Sequence, residues 1–246
     1  GPKTHQTKSG TPTMGGVLIL FGITAGTIAG LAGNWSYNLL WTLFITLAYG
    51  GLGLLDDLLI IVLHRSLGLK ARQKLLGQVF FAGLFGLYVV QSGVMETLKI
   101  PYFNTHLAFI NPVLTFLFVV FTLVAMSNAV NLTDGLDGLA SGTTMIAGLA
   151  MGILALVQGE AGLAIFAAAL AGACLGFIWF NAPPAQVFMG DTGALALGGA
   201  LAAIGILSRT ALFLPIIGGV FVAENLSVIL QVFSFKTRGK RILRMA

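Results

Sequence analysis

Two asparagines and two aspartates crowd one stretch, Asn128-Ala-Val-Asn-Leu-Thr-Asp-Gly-Leu-Asp-Gly-Leu-Ala140. Asp134 and Asp137 are three residues apart and share a face in helical geometry, as do Asn128 and Asn131. Steps of three drift against a helical period of about 3.6, so all four do not share one face of a straight helix. Gly135 and Gly138 suit a break or cap between the two pairs. Taken alone, the stretch reads equally well as a polar turn between two apolar runs, Val113 to Met126 and Leu139 to Val157. It has company, however: Asp56-Asp57 and Asp191 also fall at the ends of apolar runs. Carboxylates gathered at such a boundary repel one another and need an opposing charge, for which a divalent cation is the simplest source. Mg²⁺ takes oxygen ligands, commonly one or two carboxylates plus substrate phosphates. Lys8, Lys74 and the basic segment from Lys236 add phosphate-attracting charge. Such a set points to phosphoryl chemistry between a water-soluble donor and a lipid acceptor.

The elements that must position these residues are membrane helices. The 246 residues are 57% hydrophobic and only 9% charged, with a mean hydropathy of +0.96. Soluble domains carry roughly 25% charged residues. The apolar runs are long enough to cross a hydrocarbon core of about 30 Å as helices, and no alternating pattern indicates a barrel. The expected fold is an all-α polytopic membrane protein with eight spans, near 14–33, 39–62, 75–94, 112–132, 138–157, 163–180, 193–208 and 211–235. Pro215, Gly218 and Gly219 predict a kinked or broken last span. Small residues at Ala164–Ala173 and Gly193–Ala203 predict close helix packing. With the N-terminal tail inside, eleven basic residues lie on inside segments and two, Lys99 and Arg209, outside. That asymmetry places both ends of the chain, and all five aspartates, on the cytoplasmic side. Glu96, Glu160 and His106 read as surface groups of the outer loops, and Leu98–Phe103 as part of a short hairpin. Glu224 lies inside the last span, where a carboxylate has either a functional role or an outlet to water through a broken helix.

Several classes are excluded. The single cysteine, Cys174, permits no intrachain disulfide. No glycine-rich phosphate loop with its lysine is present, nor a Cys/His metal cluster, nor a serine triad. The net charge of +5 sits beside the spans rather than on a nucleic-acid-binding face.

Six segments carry a family resemblance: Gly1-Pro-Lys-Thr-His5, Thr11-Pro-Thr-Met-Gly-Gly16, Asp56-Asp57, Asn128–Ala140, Phe188-Met-Gly-Asp-Thr-Gly193 and Ser234-Phe-Lys-Thr-Arg-Gly-Lys-Arg241. In this order, over essentially the whole chain, they resemble the bacterial phospho-N-acetylmuramoyl-pentapeptide transferases of the polyprenyl-phosphate N-acetylhexosamine-1-phosphate transferase superfamily. The resemblance implies transfer of phospho-MurNAc-pentapeptide from its UDP conjugate to undecaprenyl phosphate, with Mg²⁺ as cofactor. The products would be lipid I and UMP, in peptidoglycan and cell-wall biogenesis. It implies a multi-pass protein of the bacterial inner membrane, a homodimer as one assembly, and a ten-span fold from which this single domain would lack one span at each end. By motif, Asp56, Asp57 and Asp191 match catalytic aspartates, with Asp191 the metal ligand. Lys8, Thr13 and Lys74 match substrate-binding positions. Asn131, Asp134, Asp137, Asn181, Phe188, Met189 and Gln231 match positions associated with the nucleotide and its inhibitors. Phe188 suits stacking on uracil, although such an aromatic is more often a packing residue. Two departures stand out: Ile60 where the family has a lysine, and Leu58 where a tyrosine is frequent.

The mechanistic expectation is a single displacement, with Asp57 accepting a proton from, or orienting, the lipid phosphate. The alternative is a covalent route in which an aspartate attacks first. A transporter of anionic substrates is the rival of another class. Its site would lie near the midplane, with inverted repeats, whereas these acids gather at one face and no repeat is evident. A structural scaffold gives no reason for five acids at a costly boundary.

Overall fold

A computed structural model describes residues 11–31, 35–62, 68–103, 105–108, 111–240 and 242. Its helices are α1 (Gly16–Leu31), α2 (Tyr37–Val62), α3 (Ala71–Ser92), α4 (Pro112–Thr133), α5 (Leu139–Val157), α6 (Ala161–Asn181), α7 (Gly190–Leu207), α8 (Leu214–Ile217) and α9 (Gly219–Arg238). Among the described residues, seven helices are long and apolar enough to cross a membrane, and α1 is a shorter apolar helix. The expected eight-span order is therefore present, with the last span divided. Pro215 sits in the first turn of α8, and Gly218, at φ −89° and ψ 30°, separates α8 from α9.

Local sequence sets the other boundaries. Asn111 caps α4: its side-chain oxygen accepts from the amides of Val113 at 2.9 Å and Leu114 at 3.3 Å, and Pro112 fits the first turn. α4 ends at Asp134, and Gly138 in the left-handed region (φ 76°) starts α5, so the Asp-Gly stretch is a break between two helices. At the far end of the bundle, β1 (Thr97–Lys99) pairs antiparallel with β2 (His106–Ala108). The Lys99 amide then bonds the Arg209 carbonyl at 3.0 Å. The two basic residues expected outside thus meet at the end opposite the aspartates.

The core is organised around α7, every residue of which from Thr192 to Leu207 is buried. A helix buried on all sides has no polar face to give up, and this one carries mostly glycine, alanine and leucine. Its neighbours reach it at backbone distance. A Cβ at Gly198 would lie 2.4 Å from the Ser127 Cα on α4, and one at Gly16 would lie 2.1 Å from the Gly193 nitrogen. Such contacts replace the hydrophobic drive that lipid does not supply between membrane helices. By contrast, α9 packs chiefly on α4 and α8 and shows lipid a row of apolar side chains, among them Leu226, Ile229, Leu230 and Phe233.

Replacing Gly198 by leucine should separate α4 from α7. Overpacking of this kind costs about 1–3 kcal/mol or more, and it should appear as a lowered Tm in detergent. Gly51→Ala, at a position with nothing within 4 Å of the added carbon, should leave Tm unchanged.

Candidate active site and cation centre

Asp56 and Asp57 lie near the C-terminal end of α2, and Asp191 lies in the first turn of α7. The two helices touch at Gly53, where a Cβ would fall 2.1 Å from the Asp191 carbonyl oxygen. One oxygen from each of the three carboxylates falls within 4.8 Å of the others. Residues 135 positions apart in the chain are therefore joined by the closeness of two helix backbones.

Each carboxylate has a different set of partners. Asp56 Oδ1 accepts from the Leu69 amide at 2.7 Å, and its Oδ2 is 3.5 Å from Lys74 Nζ. Asp191 Oδ2 accepts from Lys74, and its Oδ1 accepts from Asn131 Nδ2 at 2.7 Å. Asp57, which is buried, accepts from the Asp191 amide at 3.1 Å, the Thr192 amide at 3.0 Å and the Thr192 hydroxyl at 2.6 Å. Three carboxylates against one ammonium leave two negative charges, the charge of a divalent cation. An all-oxygen donor set is what a hard cation such as Mg²⁺ takes, so these residues fit that ion.

Residues 39–209 match the model of glycosyl transferase family 4. Residues 8–20 match signature 1 of the phospho-N-acetylmuramoyl-pentapeptide-transferases. The chain is 54% identical over 252 residues to the phospho-N-acetylmuramoyl-pentapeptide-transferase of Bacillus licheniformis. It is 53% identical over 248 residues to that of Bacillus subtilis and 52% over 254 residues to that of Geobacillus kaustophilus. Each match covers 100% of this chain and 76% of the relative. The chain belongs to glycosyl transferase family 4. It is a multi-helix membrane transferase of that family, and its similarity lies with the phospho-N-acetylmuramoyl-pentapeptide-transferase branch.

Around the three carboxylates the family motifs converge from several elements. Asp134 closes α4 beside Asp57, Asp137 and Asp191; burial, reinforced by those charges, pushes its carboxyl up to about 7. Asp137 Oδ2 accepts from the Ala185 amide at 3.2 Å. Asn181 is buried and ties three segments together. Its oxygen accepts from the Gly138 amide at 3.0 Å and the Ser141 hydroxyl at 3.2 Å, and its amide donates to the Val187 carbonyl at 2.9 Å. The entry motif lies along the segment before α7: the Phe188 amide donates to the Pro12 carbonyl at 2.8 Å, next to exposed Thr13. Phe188 is partly exposed, whereas Met189 is buried against α7 and its carbonyl accepts from the Gly16 amide at 2.8 Å.

The remaining sequence-predicted residues are placed otherwise. Gln231 lies on α9, where its Oε1 accepts from the Ile242 amide at 3.0 Å, apart from the bonds that join the carboxylates. Glu224 is partly exposed on the same helix. Lys8 lies outside the described residues. Leu58 and Ile60, the two departures, are 39% and 38% exposed on α2.

Sequence reasoning missed two residues. Thr192 stood in a quoted motif, but its hydroxyl contact to Asp57 comes from tertiary packing. Gln78 is buried on α3, one helical turn from Lys74; its side chain donates to Ser127 Oγ at 3.1 Å and accepts from Asn128 Nδ2 at 3.0 Å. A glutamine inside an apolar span, four residues after the lysine, was the available signal.

The raised carboxyl of Asp134 has a consequence for stability. A folded-state pKa above the unfolded value favours the protonated folded form, and that stability is lost as pH rises through the folded value. In chelator, the Tm of the wild type should therefore fall between about pH 4 and about pH 7 relative to Asp134→Asn. Parallel Tm curves for the two proteins would remove Asp134 as the cause.

Proposed function

We propose that this transferase moves phospho-MurNAc-pentapeptide from UDP-MurNAc-pentapeptide to undecaprenyl phosphate, giving lipid I and UMP, with Mg²⁺ and on the cytoplasmic face of a bacterial membrane. The observation that carries the reading is the meeting of Asp56, Asp57 and Asp191 with Lys74 at the N-terminus of α7. The names of the relatives supply the donor class. The excess of basic residues on the segments at this end favours the cytoplasmic orientation.

An acceptor oxygen on the lipid phosphate forms a bond to the sugar-linked β-phosphorus of the donor, and the bond from that phosphorus to UMP breaks. Asp191, with Asp56, is the proposed holder of Mg²⁺, which when bound would offset charge on the diphosphate and on departing UMP. Lys74 is positioned to trade its carboxylate partners for phosphate oxygens. Asn131 keeps the Asp191 carboxylate in place, and Asn181, Asp137 and Phe188 shape the adjoining segment for the nucleotide. Lys8, Thr13, Asp134, Met189 and Gln231 complete the proposed substrate-binding set by motif.

A groove of about 730 Å³ supports a lipid acceptor. It runs between α4 and the α8–α9 segment, and its walls include Val79, Leu117, Phe121, Phe221 and Leu226. Asn128 also lines it, and Asn128 is one turn of α4 from Asn131, the partner of Asp191. An isoprenoid chain lying there would bring its phosphate toward the carboxylates. The cluster lies at one end of the bundle, which disfavours a midplane transport site.

Purified protein given UDP-MurNAc-pentapeptide, undecaprenyl phosphate and Mg²⁺ should form radiolabelled lipid I and release UMP. Asp191→Asn should lower turnover by about 10²–10³-fold while its Tm stays close to wild type. Near-normal turnover in that variant would reject the ligand assignment, and trapping a phosphosugar–enzyme adduct without lipid phosphate would replace the single displacement by a covalent route.

A further inference from the structure

We infer that Asp57 is a positioning residue that acts through Asp191: it caps the helix that carries Asp191. Only the role of Asp191 as cation holder rests on the proposed transfer; the cap itself is read from geometry.

The first amides of a helix have no partner within it and carry the positive end of its dipole. A serine, threonine, asparagine or aspartate at the N-cap usually fills that need. In α7 the N-cap residue is Met189, whose side chain makes no capping bond, and Gly190 next to it is left-handed at φ 74°. Asp57, delivered from α2, takes over. Its Oδ1 accepts from the Asp191 amide, and its Oδ2 accepts from both the Thr192 amide and the Thr192 hydroxyl, at 2.6 to 3.1 Å. A Cβ at Gly190 would lie 2.6 Å from Asp57 Oδ2, so the chain passes close over the carboxylate. Gly53, one turn before Asp57, lets α2 press on the Asp191 carbonyl. Both helices are thus locked in register at the residue whose side chain meets Lys74 and Asn131.

The adjacent carboxylates therefore do different work. Asp56 keeps one oxygen free of backbone donors and turned toward Lys74. Both oxygens of Asp57 are engaged by the start of α7 through three donors, whereas Asp56 has a single backbone donor.

The test compares wild type, Asp57→Asn, Thr192→Val and Thr192→Ser as full chains in detergent. The first readout is amide hydrogen exchange of the peptide spanning Gly190–Gly193 in metal-free protein. The second is Mn²⁺ binding followed by electron paramagnetic resonance. Losing one hydrogen bond to a charged group should speed exchange by about tenfold in Asp57→Asn and Thr192→Val, with Thr192→Ser close to wild type. Thr192→Val should also weaken Mn²⁺ binding severalfold, although its side chain offers no carboxylate. A residue serving only as ligand or proton acceptor would leave exchange in metal-free protein untouched, so unchanged exchange in both variants overturns the inference. If Asp57→Asn does not fold, Thr192→Val alone decides by the same criterion. A wild type that binds no Mn²⁺ would count against the proposed cation centre, yet the exchange comparison would still judge the cap.

Discussion

Three carboxylates within 4.8 Å of one another repel, and the low dielectric of a helix bundle strengthens that repulsion. Much of what surrounds the inner ends of α2, α4 and α7 offsets it. Lys74 lies between Asp56 and Asp191, Asn131 donates to Asp191, the Leu69 amide donates to Asp56, and the positive end of α7 faces Asp57. Three kinds of positive partner act here: a mobile ammonium, fixed amide dipoles and a helix terminus. The Lys74 ammonium and the Asn131 carboxamide are side-chain groups that can turn away without unfolding a helix, whereas the backbone donors cannot. That asymmetry separates the part of the centre that can exchange partners from the part that only holds shape.

The same logic explains the poverty of α7 in side-chain volume. A helix terminus works on a buried carboxylate only at hydrogen-bonding range, which requires α2 and α7 to approach backbone to backbone. Glycine at 53 and 190 makes that approach sterically feasible, the Gly16–Gly193 pair does the same between α1 and α7, and Gly198 does so toward α4. Below this layer, Gln78 links α3 to α4 through Ser127 and Asn128, while the Tyr49 hydroxyl of α2 donates to its carbonyl at 3.0 Å. The polar ladder continues along the same pair of helices as Lys74 and Asn131, so the ligand geometry is braced one turn deeper in the bundle.

Much of this was legible from the sequence because membrane helices write themselves in long apolar runs. Boundaries such as Asn111-Pro112 and the Gly138 break follow from local rules, and the eight-span order emerged intact. Asp56, Asp57 and Asp191 stood out as costly charges at the ends of spans. Their division of labour did not, since two neighbouring aspartates look alike until the partner of each oxygen is known. Gln78 and Thr192 escaped for a related reason: each matters through one contact with a distant helix. The outer hairpin was legible in Leu98–Phe103, although its second strand, His106–Ala108, begins beyond that stretch.

The division of the last span at Gly218 has a broader consequence. Since α9 leans mainly on α4 and turns most of its apolar surface outward, acyl chains rather than neighbouring helices supply much of its packing. Its tilt is therefore set partly by the thickness and order of the surrounding bilayer. One wall of the groove beside α4 belongs, in effect, to the membrane's own mechanics.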